Sequence, residues 1–190
     1  VIPDRIEAGS YILATMATKG RLKLNNFNPK DLALPLKLYK GMGLKIKKLS
    51  NTSYEIFCKT LKPIKKISTK EFPGYPTDLQ AQLIATQLKS GLKSKVVENI
   101  FENRFIHIPE LRRFGANLSI KGNTVTIDKT SNLLGAEVMA TDIRASFSLI
   151  IAAMMSKGKT VINRIYHLDR GYEDFDLKLK KCGVNISRKK

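Results

Sequence analysis

The sequence predicts an α/β protein of three repeated units, each ordered helix, strand, helix, strand, strand, with the last unit incomplete. Three observations carry the prediction. An apolar, helix-like stretch ends at Gly20, Gly91 and Gly158, and a β-like run follows each. A second helix-like stretch then ends at Gly43, Gly115 and Gly183, placing the paired glycines 23, 24 and 25 residues apart. The first glycines of successive units lie 71 and 67 residues apart, which is self-similarity on the scale of a supersecondary unit. The units fall at about 1–60, 68–128 and 135–188, and nothing in the pattern separates them, so residues 1–190 read as one domain with pseudo-threefold character.

Glycine closes a helix in the left-handed conformation without a Cβ clash, so each of these six glycines is read as a helix stop. The first unit opens with a helix after Asp4, continues in the β-like RLKL, and carries its second helix up to YKGMG. In the second unit, Leu79, Leu83, Ile84 and Leu88 fall on one helical face. Its strands, Ala116–Ile120 and Val125–Ile127, flank Gly122-Asn123, a hairpin turn signal. In the third, Ile143, Phe147, Ile150, Ile151 and Met154 form a broader apolar face, which predicts a deeply buried helix. That unit stops at Ile186-Ser187-Arg188 with no partner for a last strand. An unpaired edge strand invites aggregation, so either the chain is expected to be a fragment or a segment from outside it to complete the third sheet.

Composition narrows the function. Of 190 residues, 43% are hydrophobic, which is globular, and the longest apolar run, Leu149–Met155, is too short to span a membrane. The start, VIPDRIEAGS, has no apolar signal core. With only Cys58 and Cys182, no disulfide framework is available, and a cytoplasmic setting is expected. Both cysteines read as small core or half-buried residues. No spacing suits a zinc module, and His107 with Glu110 lacks a third ligand, so no metal is expected.

Lys plus Arg is 34 against 16 acids, a net charge of +18 that favours anionic partners. Ten lysines and one acid, Glu55, lie between Lys37 and Lys70 with no aromatic-rich stacking motif or RNP-like segment interleaved; they read as solvated surface, with an RNA-binding face as the alternative. The arginines are few, and Arg104, Arg144, Arg164 and Arg170 fall in short polar segments. Guanidinium grips phosphate and carboxylate bidentately, so these four are the candidate chemistry. Ser156–Thr160 (SKGKT) imitates the tail of a phosphate-binding loop, but Ala153 stands where that loop needs glycine.

Asp4, Asp78 and Asp142 each stand at the start of a unit's first helix, where capping is the plain reading and a rim of general bases the functional one. Two further segments are dense in hydrogen-bonding groups. In Glu98–Phe105, Glu102 and Arg104 read as surface groups in weak ion pairs. Arg164–Glu173 carries two arginines, two tyrosines and a histidine, which suits a functional loop.

The segments VIPDRIEAGSYILA, YPTDLQAQ, NIFENRFIHIPELRRFGA, GAEVMATDIRAS and RIYHLDRGYED, taken together, resemble the bacterial UDP-N-acetylglucosamine 1-carboxyvinyltransferase family over essentially the whole chain. The resemblance implies an inside-out α/β barrel, helices inside and sheets outside, forming one domain of a two-domain enolpyruvyl transferase. The second domain and an N-terminal segment that crosses over to complete the third unit are both missing here. It implies transfer of the enolpyruvyl group of phosphoenolpyruvate to the 3'-hydroxyl of UDP-N-acetylglucosamine, without a cofactor, as the first committed step of peptidoglycan synthesis. Asp78 matches the family's general-base candidate, and Arg170 an arginine that closes on the phosphoenolpyruvate carboxylate. Ile100 matches a nucleotide-sugar contact that is usually valine. Arg104 and Arg144 match arginines of the cleft, with Glu102 and Asp142 beside them. The family's reactive-loop cysteine belongs to the other domain and matches neither Cys58 nor Cys182. The isolated chain is therefore expected to be inactive. The sister enzyme acting on shikimate 3-phosphate shares the fold but not these segments.

Overall fold

Asp4 fixes the start of the first helix, α1 (Arg5–Ala17), accepting hydrogen bonds from the amides of Ile6 at 2.7 Å and Glu7 at 3.2 Å. The computed structural model describes residues 2–189. After α1 come β1 (Arg21–Leu24), α2 (Ala33–Gly41), β2 (Lys45–Lys48) and β3 (Tyr54–Phe57), which form an antiparallel sheet ordered β1-β3-β2. Next are β4 (Lys66–Ser68), α3 (Gln80–Gln87), β5 (Ser94–Val97), α4 (Ile108–Arg113), β6 (Leu118–Lys121) and β7 (Thr124–Ile127), with a sheet ordered β4-β5-β7-β6. The chain then runs through β8 (Glu137–Met139), α5 (Ile143–Met155), β9 (Val161–Asn163), α6 (Tyr166–Asp169) and α7 (Phe175–Lys181). Here the sheet is only the parallel pair β8–β9, and residues 184–189 carry no strand.

The β6–β7 hairpin matches its sequence signal. Lys121 pairs with Thr124 across a two-residue loop whose first position, Gly122, has φ 56°. The short strands β4 and β8 were not expected. Each precedes an inner helix and pairs in parallel with the strand that follows it, β4 with β5 and β8 with β9. Three residues are too few to show a period.

The glycines divide into two kinds. Gly43, Gly115 and Gly183 follow the cap residues of α2, α4 and α7 with φ of 110°, 84° and 88°. After α2, the Gly43 amide donates to Lys40 O and the Leu44 amide to Tyr39 O, the paired bonds of a Schellman stop. Gly20 departs from expectation. Lys19 takes the left-handed position after α1 (φ 53°), and Gly20 follows it, donating to Thr15 O. Gly91 and Gly158 are left-handed but sit in turns beyond the caps of α3 and α5.

Helices α1, α3 and α5 pack against one another and are buried along nearly their whole length, while the sheets supply core residues such as Ile56, Val96, Val125 and Val138. The amphipathic reading of α3 is overturned: all eight of its residues are buried, including Gln80, Gln82, Thr86 and Gln87, because it touches both α1 and α5. Buried polar groups need partners. Gln87 Oε1 accepts from the Ile64 amide (2.9 Å) and Ser94 Oγ (3.1 Å). Gln82 Nε2 donates to Ser10 Oγ of α1 (3.1 Å) and to Tyr172 Oη (3.2 Å), and Ser10 and Tyr172 share a 2.8 Å hydrogen bond. Tyr172 also stacks on Phe147 of α5, with ring centroids 4.6 Å apart, so one side chain ties all three inner helices together.

Two consequences are measurable. Tyr172→Phe keeps the stacking but removes the hydroxyl from Ser10 and Gln82, and is expected to lower unfolding free energy by about 1–3 kcal/mol in denaturant titrations. His107 is buried, and desolvation pushes its pKa from 6.5 down to about 4. The unfolded chain therefore binds this proton more readily than the folded one. Stability is full above pH 6.5 and declines as pH falls toward about 4, by on the order of 3 kcal/mol. His107→Asn is expected to flatten that part of the stability–pH curve.

Candidate functional site

Asp4, Asp78 and Asp142 look alike in sequence and meet different fates. Asp142 caps α5, accepting from the amides of Arg144 (2.7 Å) and Ala145 (2.8 Å), just as Asp4 caps α1. The capping reading fails for Asp78. It lies inside a 3-10 turn, Thr77–Leu79, that precedes α3, and its carboxylate caps nothing. Instead Asp78 Oδ1 accepts from Arg104 Nη2 at 2.7 Å and has Arg144 Nε at 3.8 Å. The Asp78 side chain is 37% exposed, so the cluster is reachable from solvent. Both guanidinium groups approach the same oxygen, which leaves Oδ2 as the carboxylate's remaining acceptor.

The N-terminal ends of the inner helices come together here. Arg144 opens α5 and reaches Asp78 before α3, and it lines a groove of about 950 Å³ with Asp4 and Glu7 of α1. Converging helix starts bring their positive dipole ends to this side, with Asp4 and Asp142 already taking amides of α1 and α5. The same groove holds Arg170, the cap residue of α6, which is exposed and has no side-chain hydrogen bond among the described residues. The acids around it are mostly engaged elsewhere. Arg188 holds Asp169 at 2.6 Å and Asp176 at 2.9 Å, and Lys178 holds Glu7 at 2.8 Å.

Arg104 belongs also to a second groove, of about 820 Å³, lined by Ile100, Phe101 and Glu102 together with Ile120 and Asn123 of the β6–β7 hairpin. Its guanidinium lies 4.8 Å from the Phe101 ring centroid. Of the two groups expected in weak surface ion pairs, Arg104 is paired, with Asp78, whereas Glu102 is exposed and has no ion-pair partner among the described residues. Of the seven expected site residues, Arg144 and Arg170 line the first groove and Ile100, Glu102 and Arg104 the second; Asp78 bridges the two through Arg104 and Arg144, and Asp142 caps α5 beside Arg144.

Other sequence candidates fall outside. Arg164 spends its guanidinium on the Tyr166 phenol (2.7 and 3.0 Å) and the Met139 sulfur. His107 is buried, and Glu110 accepts from the Met139 amide. Cys58 is buried, and desolvation raises its thiol pKa; Cys182 is exposed rather than half-buried, because it caps the C-terminus of α7. No helix among the described residues is long and apolar enough to cross a membrane. Sequence reasoning missed Glu98, which is 2% exposed and whose burial no local signal announces.

This mixed α/β frame is shared with solved enolpyruvyl transferases, and the sequence places the chain in one family. The sequence model of EPSP synthase (3-phosphoshikimate 1-carboxyvinyltransferase) matches residues 1–179, and the chain belongs to that family. Within it, the chain is 50% identical over 190 residues to the UDP-N-acetylglucosamine 1-carboxyvinyltransferase of Pelagibacter ubique, covering 99% of this chain and 45% of the relative. It is 46% identical to the same-named protein of a Nitratiruptor species, covering 99% and 44%. The chain thus spans less than half the length of these relatives. Among solved structures, the enolpyruvyl transferase NikO from Streptomyces tendae superposes with TM-score 0.87 at 26% identity, covering 98% of this chain and 44% of that one. An EPSP synthase from Acinetobacter baumannii shares the fold, with TM-score 0.73 at 13% identity over 97% and 46%.

Proposed function

We propose that this chain is one domain of a two-domain enolpyruvyl transferase. The intact protein moves the enolpyruvyl group of phosphoenolpyruvate to the 3'-hydroxyl of UDP-N-acetylglucosamine and releases phosphate. This is the first committed step of peptidoglycan synthesis, a cytoplasmic reaction serving cell-wall growth, shape and division. The observation that carries the reading is the Asp78 carboxylate, clasped through one oxygen by Arg104 and Arg144 and free of any capping duty. Three inner helices with three separate sheets around them support the inside-out barrel and its repeats at about 1–60, 68–128 and 135–188.

The overall transfer forms a C–O bond between the acceptor's 3'-oxygen and the enolpyruvyl carbon. The bond from that carbon to the phosphate oxygen breaks, and the hydroxyl proton goes to a base. Asp78 Oδ2 takes that proton, while the arginines hold Oδ1 and keep the carboxylate oriented. Arg170, unpaired in its groove, closes on the phosphoenolpyruvate carboxylate, and Arg144 beside it offsets negative charge. Ile100 packs against the nucleotide-sugar, with Glu102 and Arg104 on the same wall.

Full-length protein is expected to release phosphate only when both substrates are present, and shikimate 3-phosphate is not expected to replace the sugar nucleotide. A folded full-length protein that releases none overturns the reading. In that protein, Asp78→Asn is expected to cut kcat by about 10²–10⁴-fold while nucleotide-sugar affinity changes little. The 190-residue chain alone is expected to show no turnover, because one domain cannot close a water-free cleft. Phosphate release by the isolated chain would contradict this.

A further inference from the structure

Glu98 is a buried carboxylate with no job in the chemistry above. It follows β5 directly and is 2% exposed, and no cation pairs with it among the described residues. Burying an ionised carboxylate without a counter-charge is costly unless neutral donors surround it. Glu98 has four. Its Oε1 accepts from the amides of Ile100 (2.9 Å) and Phe101 (3.2 Å) and from Thr69 Oγ1 (2.8 Å), while Oε2 accepts from Thr77 Oγ1 (2.8 Å).

The donors come from three segments that the fold brings together from separate parts of the chain. Thr69 follows β4, and its hydroxyl also accepts from the Asn99 amide at 2.8 Å. Ile100 and Phe101 begin the loop that ends in Arg104. Thr77 adjoins Asp78 in the 3-10 turn. One carboxylate therefore holds the loop carrying Arg104 through one oxygen and the turn carrying Asp78 through the other. The 2.7 Å Asp78–Arg104 contact bridges the same two segments a few residues away.

We propose that Glu98 is a positioning residue, which through Thr77 on one oxygen and the Ile100–Phe101 amides on the other sets Asp78 against Arg104. This rests on the enolpyruvyl-transfer reading for its consequence in turnover, but its geometric content does not. Severing the Thr77 link frees the turn while leaving three of the four hydrogen bonds, and all of those to the nucleotide-sugar wall, in place. Small misplacements of a reacting group cost rate far more than affinity.

The test uses full-length protein carrying Thr77→Val, with Thr77→Ser and the wild type alongside. Phosphate release gives kcat, and calorimetry with UDP-N-acetylglucosamine gives affinity and the number of binding-competent molecules. Thr77→Val is expected to keep its affinity within about threefold while turnover per competent site falls about tenfold or more. Thr77→Ser, which retains the hydroxyl, is expected to restore turnover to within about twofold of wild type. Turnover that falls only in proportion to lost binding sites makes the link merely structural and overturns the proposal, as does unchanged turnover per site. If folded wild-type protein releases no phosphate, the functional reading fails instead, and the crystal structure of Thr77→Val decides the positioning role. Loss of the Asp78–Arg104 hydrogen bond supports it, and an unchanged 2.7 Å contact refutes it.

Discussion

Helices α1, α3 and α5 bury most of their residues against one another and the sheets, so their polar side chains find their partners largely inside the protein and their capping groups at its rim. Both demands shape the site. Inside, Tyr172 meets Ser10 and Gln82 and stacks on Phe147, fixing the three helices relative to one another only two residues from Arg170. At the rim, the helix starts converge, and Asp4 and Asp142 satisfy the amides of α1 and α5. The 3-10 turn before α3 moves Asp78 out of the capping position and toward Arg104 and Arg144.

The chain's excess of positive charge divides into a diffuse part and a local part. Lysines such as Lys23, Lys45 and Lys47 are exposed on β1 and β2, and they supply a long-range field that ionic strength screens. Near the cluster, pairing is selective. Arg188 and Lys178 occupy Asp169, Asp176 and Glu7, so those acids do not compete for Arg144 and Arg170. An anion entering that groove meets guanidinium groups whose geometry suits carboxylate and phosphate.

Much of the frame was legible in the sequence, because glycine spacing and apolar periodicity report on backbone requirements that are local. The stops at Gly43, Gly115 and Gly183, the Gly122-Asn123 hairpin and the buried α5 all follow from such requirements. What escaped is set by tertiary neighbours. The strands β4 and β8 are recognisable only by their parallel partners, and α3 is buried all round because it lies between two other helices. Thr77-Asp78 and Thr141-Asp142 are the same dipeptide before a helix, yet only one aspartate caps. Glu98 and Glu102 lie four residues apart in one polar segment, one sealed among hydroxyls and amides and the other exposed. The candidate arginines 104, 144 and 170 are recognisable by residue type and family resemblance; the convergence of Arg104 and Arg144 on Asp78, with Arg170 in the groove beside Arg144, is not.

The claim on which the rest turns is that Asp78, held by Arg104 and Arg144 where the inner helices begin, faces the acceptor hydroxyl. A crystal structure of the full-length protein with UDP-N-acetylglucosamine tests it directly. The 3'-hydroxyl is expected within hydrogen-bond distance, about 3 Å, of Asp78 Oδ2, with the nucleotide along the Ile100–Arg104 wall. A sugar nucleotide bound elsewhere, with Asp78 still closed on its two arginines and touching no substrate, would contradict it.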